Sequence, residues 1–140
     1  MATCPTSTIA PSTATSIWRL TVRSEFCAAH ALRHYEGKCE HIHGHNFAVE
    51  VVVQGAKLDP KVEFLLDFKV LKTELKAVTN LLDHKDLNTT PPFDVLNPSS
   101  ENLARFIWQS LAPRLAPHAV TLHAVTVSEK AAQSATYMEL

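Results

Sequence analysis

Apolar and polar residues alternate with a period of two near both ends of the chain, and this pattern predicts β-strands. The first alternation is clearest over residues 18–23 and indicates a half-buried strand. The second covers residues 45–54, where the apolar side chains share one face because they stand two positions apart. Two further strands are expected at roughly residues 119–128 and 135–140.

The middle of the chain has apolar residues at helical spacing instead. A first helix is predicted directly after Asp67, a residue type that favours the N-cap position. Its apolar positions are Phe68, Leu71, Leu75, Val78 and Leu82. A second helix is predicted to begin near residues 98–100, after a proline-containing loop, and to end raggedly at Pro113 and Pro117. Its core positions are predicted to be Leu103, Phe106 or Ile107, Ser110 or Leu111, and Leu115.

The predicted order of elements is β-β-α-α-β-β, which indicates an α+β fold. Strand pairs at both ends of the chain favour hairpins, so we expect a four-stranded antiparallel sheet with both helices on one face. Such a sheet has two open edges, and exposed edges pair readily with another chain. We therefore expect a homo-oligomer that forms through those edges.

The length and composition predict one folded domain after a short tail. The chain has 140 residues, of which 46% are hydrophobic and 19% charged, as in a globular protein. Residues 1–15 are rich in Thr, Ser, Ala and Pro and are predicted to form a flexible tail. The single domain is then expected to occupy residues 16–140.

Charge and cysteine usage narrow the possible partners and compartment. The formal net charge is −1 and there is no run of Lys and Arg, so nucleic-acid binding is not expected. There is also no long apolar stretch and no secretory pattern at the start, so we expect neither a membrane span nor export. The three cysteines, Cys4, Cys27 and Cys39, do not suggest a disulfide framework, which makes the cytoplasm the expected location.

The most specific chemical signal is a group of histidines around the second strand. His43 and His45 stand two residues apart at its start, so both imidazoles point to one side. His30 follows the first strand and would lie near His43 if the two strands form a hairpin. Three histidines on a tetrahedral Zn²⁺ leave one position open, which is the catalytic arrangement. The alternatives are a structural site closed by Cys39, and a histidine-rich surface loop without metal.

Several other residues have a chemical and an ordinary interpretation. Cys39 is either an acid–base thiol favoured by nearby positive charge or an ordinary loop cysteine. Asp83 and His84 are either a carboxylate that orients an imidazole, with Asp86 as a rival partner, or a helix-end pair. Glu129 ends the predicted third strand and could bind an amidine-like edge, although a solvated terminal glutamate is the simpler interpretation.

Five motifs in order resemble one known family. They are Phe26-x-Ala28-Ala29-His30; Cys39-x3-His43-Gly44-His45-Asn46; Leu82-Asp83-His84-x2-Leu87-Asn88; Asn97-Pro98-Ser99-x-Glu101; and Glu129. Together they resemble the 6-pyruvoyl-tetrahydropterin synthase superfamily over nearly the whole chain from Trp18 onward. The resemblance implies the tunnelling fold (T-fold), in which such units assemble into rings, commonly a hexamer of two trimers, with active sites between subunits.

The resemblance also implies a role for each matching residue. Zinc is expected on His30, His43 and His45, and the general acid or base is expected to be Cys39. Asp83 and His84 are expected to complete a relay with that thiol, with His84 as proton donor. The pterin ring is expected to be bound by Glu129, and by the backbone of Ser99 and Ser100 at a helix start. The implied substrate is the small molecule 7,8-dihydroneopterin triphosphate.

The spacing within the second motif points to one branch of that family. Three residues separate Cys39 from His43, which is similar to the 6-carboxytetrahydropterin synthase branch of the queuosine pathway. That branch releases acetaldehyde and triphosphate. The pyruvoyl-forming branch typically has a longer spacer, and a folate-type branch uses a glutamate shortly before the His-Gly-His motif. Glu40 stands at such a position, so the pyruvoyl and folate-type reactions stay open as alternatives, as does a non-catalytic zinc- or pterin-binding module.

Overall fold

In a computed structural model, which describes residues 2 and 9–140, the chain forms a sheet with two helices. The elements in chain order are β1 (Trp18–His30), β2 (His43–Gly55), α1 (Phe68–Thr79), β3 (Lys85–Asp86), α2 (Ser100–Leu115), β4 (Thr121–Lys130) and β5 (Gln133–Tyr137). Two short 3-10 turns lie at Lys38–Glu40 and Leu87–Thr89. The α+β class and the order of the long elements are as the sequence predicts.

The sheet has the strand order β3-β1-β2-β4-β5. Its four long strands are antiparallel neighbours, as predicted. The prediction of four strands was incomplete, because β3 adds a two-residue parallel strand beside Ala28 and Ala29. The first two strands are also longer than predicted, since their pairing continues to the pair His30–His43.

The core lies between one face of the sheet and the two helices. The alternation predicted for β2 is confirmed, because Phe47, Val49, Val51 and Val53 are all buried. The helices cover them with the fully buried Leu71, Leu75, Leu103, Ile107 and Leu111. Among the alternatives for the second helix, the structure therefore selects Ile107 and Leu111. Phe68, the first of the apolar positions at helical spacing, is the first residue of α1 and is 51% exposed.

Side-chain caps fix where both helices begin. The Asp67 carboxylate accepts a hydrogen bond from the Lys69 N–H at 2.8 Å, which confirms the predicted start of α1. The Ser99 hydroxyl accepts from the Asn102 N–H at 3.2 Å and caps α2. Capping places Ser99 and Ser100 at the N-terminus of α2, beside the end of β4.

Residues 9–17 precede β1, are exposed and belong to no helix or strand. Residues 1 and 3–8 of the predicted tail, which include Cys4, lie outside the described residues, so the division into a tail and one domain at residue 16 stays a prediction. None of the helices in the described part of the chain is long and apolar enough to cross a bilayer.

Candidate metal centre and substrate cavity

The hairpin formed by β1 and β2 brings three histidines together. The register pairs His30 with His43 at the end of the hairpin, and His45 lies two residues further along β2. One nitrogen from each ring lies within 4.8 Å of the nitrogens of the other two. Within residues 2 and 9–140, these three side chains are the only group of His, Cys, Asp or Glu arranged to hold a metal ion.

Backbone carbonyls select the nitrogen that faces the centre of this cluster. His30 Nδ1 lies 2.7 Å from the Pro98 carbonyl oxygen, and His43 Nδ1 lies 2.7 Å from the His41 carbonyl oxygen. A carbonyl oxygen can only accept, so both Nδ1 atoms carry a proton, and in the neutral form of each ring the lone pair is on Nε2. Metal-bound histidines are usually oriented in this way.

Two buried nitrogens in the cluster indicate a missing partner. Within the described structure, His30 Nε2 and His45 Nε2 are buried and make no hydrogen bond. An unpaired buried polar atom is costly, and such atoms in a native protein require an explanation. A metal ion bound by the three imidazoles satisfies both atoms, so the residues fit the cofactor that the sequence suggests.

The electrostatics of the cluster also suit a cation. Burial lowers the pKa of His30 below its ordinary value, although the Pro98 hydrogen bond and the charge of Glu129 oppose this. Burial likewise lowers the pKa of His45, again opposed by Glu129. Because a lowered pKa favours the neutral imidazole, both rings are ready to donate a lone pair to a metal at neutral pH.

Glu129 lies beside this cluster and is largely buried. Its Oε1 atom is 3.6 Å from His30 Nε2, its Oε2 atom is 3.7 Å from His45 Nε2, and its side chain is 17% exposed. The Ser100 hydroxyl donates to Oε1 at 3.5 Å. A solvated terminal glutamate is therefore the wrong interpretation, because the carboxylate is held between the histidines and the start of α2.

Glu129 opens into a cavity of about 310 Å³ that also contains Cys39, Ser99 and Ser100. The remaining lining residues are Leu32, Tyr35, Glu101, Gln133, Ser134 and Ala135. Cys39 is partly exposed on the short 3-10 turn, where its carbonyl accepts from the Leu32 N–H at 2.7 Å. Four of the site residues suggested by the sequence thus share one cavity.

The position of Cys39 bears on the alternative of a closed structural metal site. Among the described residues, the group able to hold a metal contains three histidines and does not include this thiol. Cys39 lines the cavity instead. The structure therefore does not make Cys39 a fourth ligand of the histidine cluster, and Glu129 is the residue that borders both the cluster and the cavity.

Asp83 and His84 form a fixed pair at the edge of β1. His84 Nδ1 lies 2.9 Å from Asp83 Oδ2, while Asp83 Oδ1 accepts from the Cys27 N–H at 2.9 Å. That backbone hydrogen bond, together with His84, holds the pKa of Asp83 below its ordinary value. The pair is not a helix cap, since α1 ends at Thr79, and Asp86 is not its partner, because Asp86 caps the next turn.

The His84 imidazole faces a different cavity from Cys39. Its side chain is 81% exposed, and its backbone has a φ of 57°, which non-glycine residues adopt rarely. It lines a cavity of about 620 Å³ with Cys27, His45 and Asn46, and Cys39 is absent from that lining. Within one chain, the structure therefore does not bring the pair and the thiol into one site.

Sequence reasoning gave no role to two asparagines and an arginine that brace the loop after β1. The Asn88 amide exchanges two hydrogen bonds with the backbone of Ala31, at 2.8 and 2.9 Å. The Arg33 guanidinium donates to the carbonyls of Leu96, Asn88 and Phe93. The Asn97 amide exchanges the same two hydrogen bonds with the backbone of Arg33. Each of these pairs, Asn88 with Ala31 and Asn97 with Arg33, forms a clamp. The only signal in the sequence was that both asparagines stand in the quoted motifs.

Comparisons with known proteins show the family and agree with this fold. The family model described as 6-pyruvoyl tetrahydropterin synthase matches residues 19–140. The 6-carboxy-5,6,7,8-tetrahydropterin synthase of Synechocystis is 36% identical over 125 residues, which cover 86% of this chain and 93% of that protein. The dihydroneopterin monophosphate aldolase of Pyrococcus furiosus is 37% identical over 97 residues, covering 69% and 77%.

A solved structure shows the same architecture. The 6-pyruvoyl tetrahydropterin synthase of Caenorhabditis elegans superposes with a TM-score of 0.79 at 27% sequence identity. The match covers 90% of this chain and 98% of that one. The arrangement of β1, β2, the two helices and the final hairpin is therefore that of a known fold, and the histidine cluster lies at the end of its first hairpin.

Proposed function

Because the chain belongs to the 6-pyruvoyl tetrahydropterin synthase family, we propose that it is a zinc-dependent carbon–carbon lyase. The proposed reaction converts 7,8-dihydroneopterin triphosphate and one water molecule to 6-carboxy-5,6,7,8-tetrahydropterin, acetaldehyde and triphosphate, as a step towards queuosine and related 7-deazapurines. The observation that carries the proposal is the cluster of three imidazoles beside Glu129, a carboxylate that also lines the cavity containing Cys39.

The metal would be held by His30, His43 and His45. Two observations support this assignment: His30 Nε2 and His45 Nε2 are buried without a partner, and backbone carbonyls orient the rings of His30 and His43. Zinc suits a set of three imidazoles that leaves a fourth position open. When bound, zinc supplies a Lewis acid that makes protons beside substrate oxygens more acidic. Every other task in the proposed reaction belongs to the side chains of the chain itself.

Glu129 would bind the pterin ring. Its carboxylate can accept paired hydrogen bonds from the amino group and the adjacent ring N–H of a 2-amino-pyrimidinone, a strong charge-assisted pairing. The Ser100 hydroxyl already lies 3.5 Å from this carboxylate and would help to orient it. The free N–H groups at the start of α2, near Ser99 and Ser100, would contact the same ring.

Cys39 would take a proton from the substrate, and His84 would return one elsewhere. His84 Nδ1 lies 2.9 Å from Asp83 Oδ2, so the carboxylate would hold the orientation of the imidazole that donates the proton. Since the thiol and the imidazole line different cavities in one chain, this relay requires two copies of the chain. The site proposed here is accordingly an intersubunit site.

The sheet edges supply a route to such an assembly, which we propose to be a homohexamer of two trimers. In the described structure β5 forms one outer edge, and residues 18–26 of β1 pair only with β2. These edges present unpaired backbone groups that a neighbouring copy can complete. Sedimentation velocity of the purified chain tests this point, and a monomer at micromolar concentration would contradict it.

The proposed location is the cytoplasm, which agrees with the free thiols of Cys27 and Cys39.

A second function on the same scaffold is favoured by Glu40. This carboxylate is exposed next to Cys39 on the same 3-10 turn, so either group could act on the substrate. The relatives also bear different names, including 6-pyruvoyl tetrahydrobiopterin synthase in Homo sapiens, 38% identical over 54% of each chain. We favour the thiol, because its spacing from His43 matches the carboxy-forming branch.

Product identification by mass spectrometry after incubation of the zinc-loaded protein with dihydroneopterin triphosphate tests the proposal. We expect 6-carboxytetrahydropterin and acetaldehyde, lost in Cys39→Ala and retained in Glu40→Gln. A 6-pyruvoyl or 6-hydroxymethyl product would overturn the branch while keeping the metal site and the pterin site. Absence of any product would leave the non-catalytic zinc- or pterin-binding module as the function.

A further inference from the structure

A backbone atom outside the hairpin orients one of the proposed metal ligands. The Pro98 carbonyl, in the loop before α2, accepts the hydrogen bond from His30 Nδ1 at 2.7 Å. His30 is fully buried, and its Nε2 atom faces the cluster without a partner in the described structure. The direction of this nitrogen therefore depends on where the Pro98 carbonyl is held.

Asn97, the residue before Pro98, is held by three hydrogen bonds. Its Oδ1 atom accepts from the Arg33 N–H at 2.8 Å, and its Nδ2 atom donates to the Arg33 carbonyl at 2.9 Å. Its own carbonyl accepts from Asn102 Nδ2 at 2.9 Å. The side-chain amide thus ties this loop to the chain three residues after His30, and α2 fixes the loop from the other side.

We propose that Asn97 is a positioning residue for the metal centre, because its clamp on Arg33 fixes the Pro98 carbonyl and that carbonyl fixes the ring of His30. The inference rests on the proposed metal site. The segment continues into Ser99, which caps α2, and Ser100, whose hydroxyl lies 3.5 Å from Glu129. One short segment therefore sets both a metal ligand and the carboxylate beside it.

The physical consequence concerns the tautomer and direction of one imidazole. A backbone carbonyl at a fixed place selects the Nδ1–H tautomer of His30, so the Nε2 lone pair points to the metal. If the clamp is removed, the carbonyl can move, and the ring can populate the other tautomer or rotate. Loss of an outer-shell partner typically weakens metal binding by about 10–100-fold. Because Asn97 acts through the backbone, we expect the lower end, about tenfold.

The test compares the full-length wild-type chain with Asn97→Ala and with Asp59→Ala. Asp59 is a matched control, since its side chain also makes two hydrogen bonds to the backbone, accepting from the Lys61 and Val62 N–H groups, and its hydrogen bonds stay within residues 59–64. Zn²⁺ affinity is measured by competition with a chromophoric chelator. Nitrogen–proton correlation spectra of the metal-free imidazoles report the tautomer of His30.

We expect Asn97→Ala to weaken Zn²⁺ binding about tenfold and to reduce the Nδ1–H population of His30, with Asp59→Ala unchanged in both. Wild-type affinity and tautomer in Asn97→Ala would overturn the inference. If that variant does not fold, Asn97→Asp takes its place, because it keeps an acceptor for the Arg33 N–H and lacks the donor to the Arg33 carbonyl. A wild-type chain that binds no Zn²⁺ would instead overturn the proposed function.

Discussion

The carboxylate of Glu129 lies beside two of the three histidines of the proposed metal centre. It lies 3.6 and 3.7 Å from nitrogens of His30 and His45, yet it is not in the group arranged to hold a metal. Its buried negative charge counters part of the burial effect on the pKa of both histidines. A carboxylate in this position can bind a planar cationic or amidine-like group while leaving the metal position to the imidazoles.

Replacement of Glu129 by glutamine tests this assignment. The glutamine amide keeps the shape of the side chain but loses the charge that strengthens the paired hydrogen bonds. We therefore expect kcat/KM to fall roughly thirtyfold, which corresponds to a loss of about 2 kcal/mol of transition-state stabilisation. The Zn²⁺ content should be unchanged. Glu50→Gln is the control, because this glutamate pairs with Arg23 on the opposite face of β2. A Glu129→Gln variant with wild-type kinetics would show that the carboxylate does not contact the substrate.

The metal-free protein should lose stability as the pH falls below about 6.5. Burial lowers the pKa of His30 and His45 in the folded chain, so between the lowered and ordinary values the unfolded chain binds more protons. Stability therefore rises with pH in that window, by at most about 1.4 kcal/mol per pH unit for each histidine. Denaturant titrations of the apo-protein at several pH values measure this slope.

The matched variant for this titration is His45→Gln, which removes one of the two histidines whose pKa is lowered in the folded chain. Its slope between neutral and mildly acidic pH should be smaller than that of the wild-type apo-protein. Zinc binding should weaken over the same window, because protons compete for the imidazole lone pairs. Equal slopes for both proteins would show that His45 titrates alike in the folded and unfolded chains.

At the scale of elements, the end of the β1–β2 hairpin is built from long-range contacts. Ala31, the residue after His30, exchanges two hydrogen bonds with the Asn88 amide, and Arg33 does the same with Asn97. The two side chains thereby imitate a neighbouring strand where β1 itself has ended. This brace holds the loop that leads to Cys39.

Asn88→Ala should lower the free energy of unfolding by about 2 kcal/mol, because it leaves the N–H and the carbonyl of Ala31 without partners. Thr89→Ala is the control, since this exposed neighbour makes one side-chain hydrogen bond, to the Asp86 carbonyl. Its cost should be well under 1 kcal/mol. Equal denaturation midpoints for both variants would contradict the role of the clamp.

The elements differ in how well the sequence predicts them. The alternation in β2 and the Asp67 cap are local signals, and both were correct. Phe68 fits the helical spacing and is nevertheless exposed, because periodicity does not reveal that a first turn lies beyond the edge of the core. The strand β3 and the clamps depend on residues more than fifty positions apart, and no local pattern contains that information.

The site residues likewise divide into those that local sequence signals predict and those that depend on long-range contacts. The spacing of His43 and His45 predicts that they share a face, and the hairpin register adds His30. The cavity that joins Cys39 to Glu129 could not be derived from spacing, because it depends on how α2 meets the end of β4. The separation of His84 from Cys39 could not be derived from spacing either, because it follows from the hydrogen bond that attaches Asp83 to β1.

At the scale of the whole molecule, the proposed relay requires residues from two chains, and subunit mixing tests this directly. Cys39→Ala and His84→Ala should each lose at least about a hundredfold in kcat, because each lacks one proton-transfer group. When the two variants are refolded together, a site that draws Cys39 from one copy and His84 from a neighbour regains both groups in about one quarter of the positions of a mixed ring. Roughly that fraction of wild-type activity should return. The control mixes Cys39→Ala with a variant that carries both Cys39→Ala and His84→Ala, since no copy then supplies the thiol. Mixed rings, verified by mass spectrometry, that stay inactive would place the thiol and the imidazole in the same chain and refute the intersubunit relay.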